Sequence, residues 1–170
     1  RLDPKLKEIV KAASVEGEAF TAEVVAEVRN LDARQVVGAL SGDLARRHHL
    51  VEAGGVRQVG DRRVSRYWFS HGLFQRYLYE TLDPVERVYL HEAIGNALEA
   101  LYRGRTEEIA TRLARHFEEA GSLAKAVRYR QEAGDAAARI YAAPEAVAQY
   151  SRAVQLARQI DASGDELTVL

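Results

Sequence analysis

The sequence predicts a mainly helical protein, and three observations support this prediction. Only three prolines and twelve glycines occur in 170 residues, which leaves little room for long loops. Alanine falls in runs with leucine, valine, glutamate and arginine, a composition that favours helices. Apolar residues recur at three- and four-residue spacing along most of the chain, as on the buried face of a helix. We therefore expect helices interrupted by one short β-rich segment.

The first third of the chain predicts three short helices. Asp3 caps the first, and Pro4 suits its first position because the N–H that proline lacks would have no partner there. Thr21 and Asp32 are the expected caps of the second and third helices. The apolar face of the third helix comprises Val36, Val37, Leu40 and Leu44.

A β-hairpin is expected after the third helix. Residues 49–52 and 64–69 are rich in β-branched and aromatic side chains. Between them lie two glycine-containing pairs that are typical of turns, Gly54-Gly55 and Gly60-Asp61. Three helices with a hairpin behind the third form the winged-helix plan, a relative of the helix-turn-helix. We assign residues 1–70 to a winged-helix domain.

Residues 71–104 are expected to form a connecting helical hairpin. Its first helix, at residues 72–82, has an amphipathic pattern. Asp83 followed by Pro84 begins the second helix as cap and first helical residue. The face expected to point inward comprises Val85, Val88, Tyr89, Ala93, Ile94, Ala97, Leu98 and Leu101.

Residues 105–162 have the small-residue spacing of tetratricopeptide (TPR) repeats, which lets antiparallel helices approach closely. The expected packing positions are Ala110, Leu113, Ala114, Phe117, Ala126, Ala133, Gly134, Ala146, Tyr150 and Ala153. Corresponding alanines are 20 positions apart rather than the 34 of a full repeat, so one long helix must serve two units. The alternative is a helical bundle with alanine-rich contacts. The last helix is expected to end near Ile160, with a flexible tail at 163–170.

Positive charge is concentrated in residues 46–76, which hold seven basic and two acidic residues in a chain of net charge −1. In a DNA-binding winged helix, the third helix enters the major groove and the wing contacts phosphates. The wing candidates for phosphate or partner contact are Arg57, Arg62, Arg63 and Arg66, and those near a groove are Arg34, Gln35, Arg46 and Arg47. The middle of the third helix offers few side chains that could read bases, and Asp43 would repel phosphate. A protein-docking or simply solvated wing is therefore favoured.

The sequence contains none of the catalytic or nucleotide-binding motifs that we sought. G-x-x-x-x-G-K-[ST], G-x-G-x-x-G, H-E-x-x-H and G-x-S-x-G are all missing. The lack of cysteine excludes disulfides and thiolate metal sites. We expect His91 and His116 to be packing residues and the pair Glu118-Glu119 to lie on a solvated face. The sequence thus predicts no catalytic, metal-binding or cofactor-binding residue, and no apolar run long enough to span a membrane.

Four segments occur in a suggestive order. RYWFSHGLFQRYLY at 66–79 is followed by LHEAIG at 90–95, ARHFEEAG at 114–121 and AGD at 133–135. This order resembles the region just after the NTPase core in bacterial STAND-type (AAA-like) regulators, which carry adenylate cyclase, LuxR-type or SARP-type output domains. The resemblance extends from about Leu6 to Ile160. It implies a winged helix that packs on the NTPase domain, followed by TPR-like helices as sensor and assembly surface.

The resemblance implies a regulatory function without catalysis in this chain, because the phosphate loop would lie upstream. The chain also lacks methionine, and we expect a part of a longer bacterial cytoplasmic signal-transduction protein. The expected partners are the intramolecular NTPase domain and a protein, peptide or inducer bound by the repeats, with no cofactor and no membrane contact. The alternative is a fragment of a DNA-binding winged-helix transcription factor.

Overall fold

The computed structural model of the protein describes residues 2–168, with side chains as far as Ser163. The described chain is mainly helical and contains one three-stranded antiparallel sheet, which confirms the predicted class. It divides into two compact units, Arg1–Leu101 and Tyr102–Leu170. Each unit is therefore described by itself.

The first unit combines helices with the sheet, whose strand order is β1-β3-β2. Helices α1 and α2 both pack on α5, and α1 also packs on α4. A π-helical segment, Leu40–Arg47, continues α3 without a break. The elements are α1 (Pro4–Glu16), β1 (Ala19–Thr21), α2 (Ala22–Val28), α3 (Ala33–Ala39), β2 (Val51–Val59), β3 (Arg62–Phe69), α4 (Gly72–Glu80) and α5 (Pro84–Leu101).

Three of the four predicted caps in the first unit form as expected, and one of them is Asp83, whose carboxylate accepts the N–H groups of Val85 and Glu86. The Asp3 carboxylate accepts the backbone N–H of Lys5, and the Asp32 carboxylate accepts two N–H groups at the start of α3. The prediction for Thr21 is wrong, because its hydroxyl makes no capping bond to α2. Instead it donates to the buried carboxylate of Glu16 at 3.0 Å, and the Thr21 N–H donates to the same carboxylate at 3.0 Å.

The strand β1 was not predicted, because three residues are too short to show a period. It pairs antiparallel with β3, and Phe20 lies directly opposite Tyr67. The ring centroid of Phe20 is 6.0 Å from that of Tyr67 and 5.2 Å from that of Phe69. All three rings are buried, so this short strand contributes the aromatic centre of the unit.

The hairpin forms where it was predicted, but one of its two expected turns is wrong. Gly60 and Asp61 make the turn between β2 and β3, whereas Gly54 and Gly55 lie inside β2. The register shifts there, and Gly55 has a positive φ of 88°. A Cβ on Gly54 would come within 2.5 Å of the Trp68 ring, so the glycine allows the indole to lie against the strand.

The inward face of α5 differs from the prediction in its first two turns. Val85, Val88 and Tyr89 were expected to be buried and are 64%, 41% and 69% exposed. The buried face of α5 instead contains Leu90, Ile94, Ala97 and Leu98, and Glu86 precedes them on the same face at helical spacing. At the start of this face, the Glu86 carboxylate lies near two cations, Lys11 of α1 at 3.7 Å and Arg29 after α2 at 3.6 Å.

The second unit is an antiparallel stack of helices. It consists of a 3₁₀ turn (Thr106–Ile109), α6 (Ala110–Glu119), α7 (Leu123–Arg139) and α8 (Ala143–Thr168). Helix α7 packs on both α6 and α8. The ring of Phe117, near the end of α6, stacks on that of Tyr129 with centroids 5.7 Å apart. Glu107, before α6, forms an ion pair with Arg139 at the end of α7. These two contacts show that α6 and α7 run antiparallel.

Helix α8 does not end near Ile160 as predicted but continues to Thr168. The predicted tail at 163–170 therefore begins inside a helix. Its side chains after Ser163, and residues 169–170 entirely, lie outside the described residues.

Candidate interaction surfaces

The wing arginines lie on the β2–β3 hairpin, where the register places them relative to one another. Arg57 lies directly opposite Val64, so it shares a sheet face with Arg62 and Arg66, which flank Val64 on β3. Arg63 points to the other face. Arg57, Arg62 and Arg63 are exposed, and Arg66 is partly exposed. The structure thus brings three of the four predicted residues to one face.

Three of these arginines have no partner in the described part of the chain. Neither an ion pair nor a side-chain hydrogen bond involves Arg62, Arg63 or Arg66. Arginines elsewhere are held: Arg29 by Glu8 at 3.1 Å, for example, and Arg130 by Glu118 at 3.0 Å. The guanidinium groups of Arg62, Arg63 and Arg66 are therefore available to a ligand.

The third helix presents its polar side chains mainly at its two ends. Arg34 and Gln35 are exposed at its start, and Arg46 and Arg47 at its finish. Between them the exposed positions include Gly38 and Asp43, while the apolar face is buried, with Val36, Leu40 and Leu44 fully inaccessible. A glycine and a carboxylate in the middle of this helix leave little with which to read base edges.

Exposed large apolar residues are concentrated in one stretch of the sequence, on α4 and the first turns of α5. Of fourteen large hydrophobic residues exposed among the described side chains, six fall between residues 73 and 89. We call them the α4–α5 surface, and they are Leu73, Phe74, Tyr77, Val85, Val88 and Tyr89. Helix α4 has no buried residue at all, although its pattern is amphipathic.

Polar contacts hold α4 in place and leave this surface outward. The Gln75 amide donates to the carbonyl of Ser14 in α1 at 2.6 Å. Tyr79 is hydrogen-bonded to the buried His91 of α5 at 3.0 Å, and the guanidinium of Arg87 lies 5.0 Å from the centre of the Tyr79 ring. These contacts tie α4 to α1 and α5, while Leu73 and Tyr77 stay exposed.

The predicted repeat-packing positions lie along the interfaces of the second unit. Nine of the ten are buried, and Tyr150 is 37% exposed. The Tyr150 ring lies directly on α7, because a Cβ on Gly134 would be only 2.6 Å from it. Its hydroxyl donates to Asp135 at 2.6 Å. The burial and the ring contact show close helix approach, which is common to TPR repeats and to alanine-rich bundles.

Glu118 does not lie on a solvated face, contrary to the prediction. Its carboxylate, 19% exposed, accepts hydrogen bonds from Arg130 of α7 at 3.0 Å and from Nε of Arg152 of α8 at 2.8 Å. Burial alone would raise the pKa of the Glu118 carboxyl, but the hydrogen bonds and charges of Arg152 and Arg130 lower this pKa below its ordinary value. One carboxylate therefore links all three helices.

The exposure of the apolar face of α4 and the ion pairs of Glu118 were both missed in the sequence, for different reasons. The spacing of Leu73 and Tyr77 gave the apolar face of α4, but no sequence signal says whether such a face is covered. Glu118 could have been found from the basic residues at Arg130 and Arg152, provided that the helix register was known. The adjacent Glu119 is exposed as predicted.

The described residues contain no group of three or more histidine, aspartate or glutamate side chains suited to a metal ion. None of the described helices is both long and apolar enough to cross a lipid bilayer. Comparison of the chain with protein-family models, curated proteins and solved structures finds no match.

Proposed function

We propose that this chain is a non-catalytic interaction module of a multidomain signal-transduction NTPase or transcriptional regulator. A winged-helix domain docks on the NTPase domain, and TPR-like helices bind a protein or an inducer. Support for the first part comes from the element order α1-β1-α2-α3-β2-β3 with the sheet order β1-β3-β2. An order of three helices followed by a hairpin is what a winged helix requires, and β1 adds a strand between the first two helices.

The α4–α5 surface is the observation that carries the proposal. Six large apolar side chains within seventeen positions are more than scattered surface residues, and such clusters mark sites of protein contact. Leu73, Tyr77 and Tyr89 are each more than 65% exposed. Aromatic side chains of this kind dominate binding energy at protein interfaces. We expect a folded partner domain rather than a small ligand, because exposed large apolar side chains on two consecutive helices suit a protein interface.

The second unit supports the role of the TPR-like helices. Its alanine contacts and the seat of Tyr150 on Gly134 allow the close antiparallel packing that repeats require. Its own exposed apolar residues include Tyr141 at 94%, Val147 at 63% and Val154 at 50%. Tyr141 lies in the turn between α7 and α8, and Val147 and Val154 lie two helical turns apart on α8. A protein or an inducer would bind there.

Calorimetry tests the docking directly. The chain is titrated with the separately expressed NTPase region from the same open reading frame, in its ADP-bound and ATP-bound states. We expect binding in one of the two states, and at least about tenfold weaker binding by the variant Leu73→Ser/Tyr89→Ser. The matched control is Val147→Ser/Val154→Ser, which removes exposed apolar groups from α8 instead. No heat of binding in either nucleotide state contradicts the proposal.

DNA binding is the second candidate, and the exposed, unpaired guanidinium groups of Arg62 and Arg63 favour it. The exposed Arg34, Arg46 and Arg47 of the third helix would add groove contacts. Such binding would weaken steeply with salt as counterions are released. Flat fluorescence anisotropy with random and promoter duplexes at about 50 mM salt removes this candidate.

A further inference from the structure

Strand β2 has a free edge. In the order β1-β3-β2 it pairs only with β3, so the N–H and C=O groups on its other side have no strand partner among the described residues. Seven consecutive residues of β2, from Glu52 to Gln58, are exposed. The bulge at residues 53–55 interrupts the ladder, which leaves Gly55 to Val59 as the regular stretch. An extended chain can add to such an edge by backbone hydrogen bonds.

The opposite side of the sheet is closed. Strand β1 covers β3 at residues 66–68, and beyond it the Glu23 carboxylate accepts the backbone N–H of Ser65 at 2.8 Å. The hairpin is also braced across its base, because the Trp68 indole donates to Glu52 at 3.2 Å. Of the two outer strands, β2 has nine residues and β1 three, so β2 offers the longer edge to a new strand.

Near this edge, β3 carries basic side chains and β2 carries one exposed large apolar side chain, Val56. Arg62 and Arg66 point to one face and Arg63 to the other, and none of the three has a carboxylate partner within the described residues. Val56 of β2 is 70% exposed, on the same face as Arg63. Strands lie about 4.8 Å apart, so an arginine on β3 is long enough to cross β2 and meet a carboxylate on an added strand.

We propose that the free edge of β2 binds an extended acidic segment of a partner protein, which becomes a fourth strand of the sheet. Its backbone pairs with Gly55 to Val59, and its carboxylates, which lie on one face of the added strand, form ion pairs with Arg62 and Arg66. An apolar residue of the segment covers Val56. A nucleic acid satisfies the arginines but offers neither the alternating N–H and C=O groups of a strand nor an apolar side chain for Val56.

The probe for this site is a fluorescein-labelled peptide of alternating glutamate and valine, with alternating lysine and valine as its control. Anisotropy with the full chain at about 50 mM salt should detect the acidic peptide and not the basic one. The variant Arg62→Ala/Arg63→Ala/Arg66→Ala should bind about tenfold more weakly. The matched variant Arg103→Ala/Arg158→Ala, which removes two exposed arginines outside the wing, should bind as the unmodified chain does.

Binding of N-methylated peptides tests whether the peptide adds to the sheet as a strand. Successive N–H groups of a strand point to opposite edges, so methylating the N–H groups of the glutamates or of the valines blocks one edge at a time. One methylated peptide should keep its affinity and the other should lose it. Equal affinities of the two methylated peptides overturn the proposal, as does an unchanged affinity of the triple arginine variant. Tighter binding of a random DNA duplex than of the acidic peptide overturns it too, in favour of a nucleic-acid site.

Discussion

Arginines play different parts in the two units. In the second unit, Arg130 and Arg152 converge on Glu118, and each reaches it from a different helix. In the wing of the first unit, Arg62, Arg63 and Arg66 have no carboxylate partner in the described chain. An arginine that bonds across helices contributes to the fold, whereas an exposed and unpaired arginine leaves its charge for a ligand. Whether an arginine has a carboxylate partner therefore indicates whether it stabilises the fold or can bind a ligand.

Apolar side chains divide in a similar way. Helix α6 is ten residues long and buries Ala110, Leu113, Ala114 and Phe117 together with His116. Helix α4, nine residues long, buries none and exposes its apolar face. Both helices are amphipathic in sequence, so the difference lies in the neighbours that the fold supplies. The contrast predicts large losses of stability in the second unit and small ones on the exposed surfaces of the first.

The largest expected effect is at Gly134. The variant Gly134→Leu places a side chain where the Tyr150 ring already lies, since even a Cβ would be 2.6 Å from that ring. The ring must leave its seat on α7 and its hydrogen bond to Asp135, and we expect a loss of about 2 kcal/mol or more in the free energy of unfolding. Urea unfolding followed by circular dichroism measures this loss.

The same substitution at Gly38 is the control. Gly38 lies in α3 with nothing within 4 Å of an added Cβ. Leucine is the better helix former, so Gly38→Leu should be neutral or stabilise by up to about 1 kcal/mol. Equal losses at the two glycines would show that Gly134 is not a close-packing position.

The next effect is the loss of the carboxylate of Glu118. Glu118→Gln keeps the shape but removes the charge that Arg130 and Arg152 share, and we expect about 1–2 kcal/mol of destabilisation. Glu119→Gln changes the exposed neighbour and should stay within about 0.5 kcal/mol of the unmodified chain. If the two variants have the same free energy of unfolding, the bonds of Glu118 to Arg130 and Arg152 do not stabilise the fold.

The pH dependence of stability sharpens this result. The pKa of Glu118 is lowered in the folded chain, because the bonds from Arg152 and Arg130 outweigh its burial. Its contribution is therefore fully present above the ordinary carboxyl pKa of 4.5 and is lost as the pH falls through the folded pKa. The difference in unfolding free energy between the unmodified chain and Glu118→Gln should shrink as the pH is lowered from 6 to below 4.5. A constant difference would contradict the lowered pKa.

Local chemistry made part of the fold predictable from the sequence. Asp3 and Asp32 act as caps because the bond between a side chain and a nearby N–H needs no distant partner. The hairpin position followed from β-branched and aromatic residues in the same local way. Features that depend on distant contacts were missed or misassigned. Thr21 bonds to Glu16 instead of capping α2, and Gly54 admits the Trp68 ring instead of forming a turn.

The candidate surfaces were predictable to the same limited extent. The wing arginines could be named because charge is visible in the sequence. That Arg62, Arg63 and Arg66 lack side-chain partners within the described residues could not be predicted. Tyr89 was expected inside and is 69% exposed, because the buried stripe of α5 passes through Leu90, Ile94 and Leu98 instead. The direction of an apolar face depends on the neighbouring helix, and a periodic pattern alone does not contain that neighbour.

The smallest expected effect belongs to the wing. Because Arg62, Arg63 and Arg66 bond to no side chain in the described residues, their joint replacement by alanine should change the unfolding free energy by less than about 1 kcal/mol. Arg130→Ala, a single change at a partly buried and paired arginine, should cost more than the triple change. Urea unfolding of the two variants in parallel makes the comparison. A triple variant less stable than Arg130→Ala would mean that the wing arginines hold the fold together, and their charges would then not be free for an acidic partner.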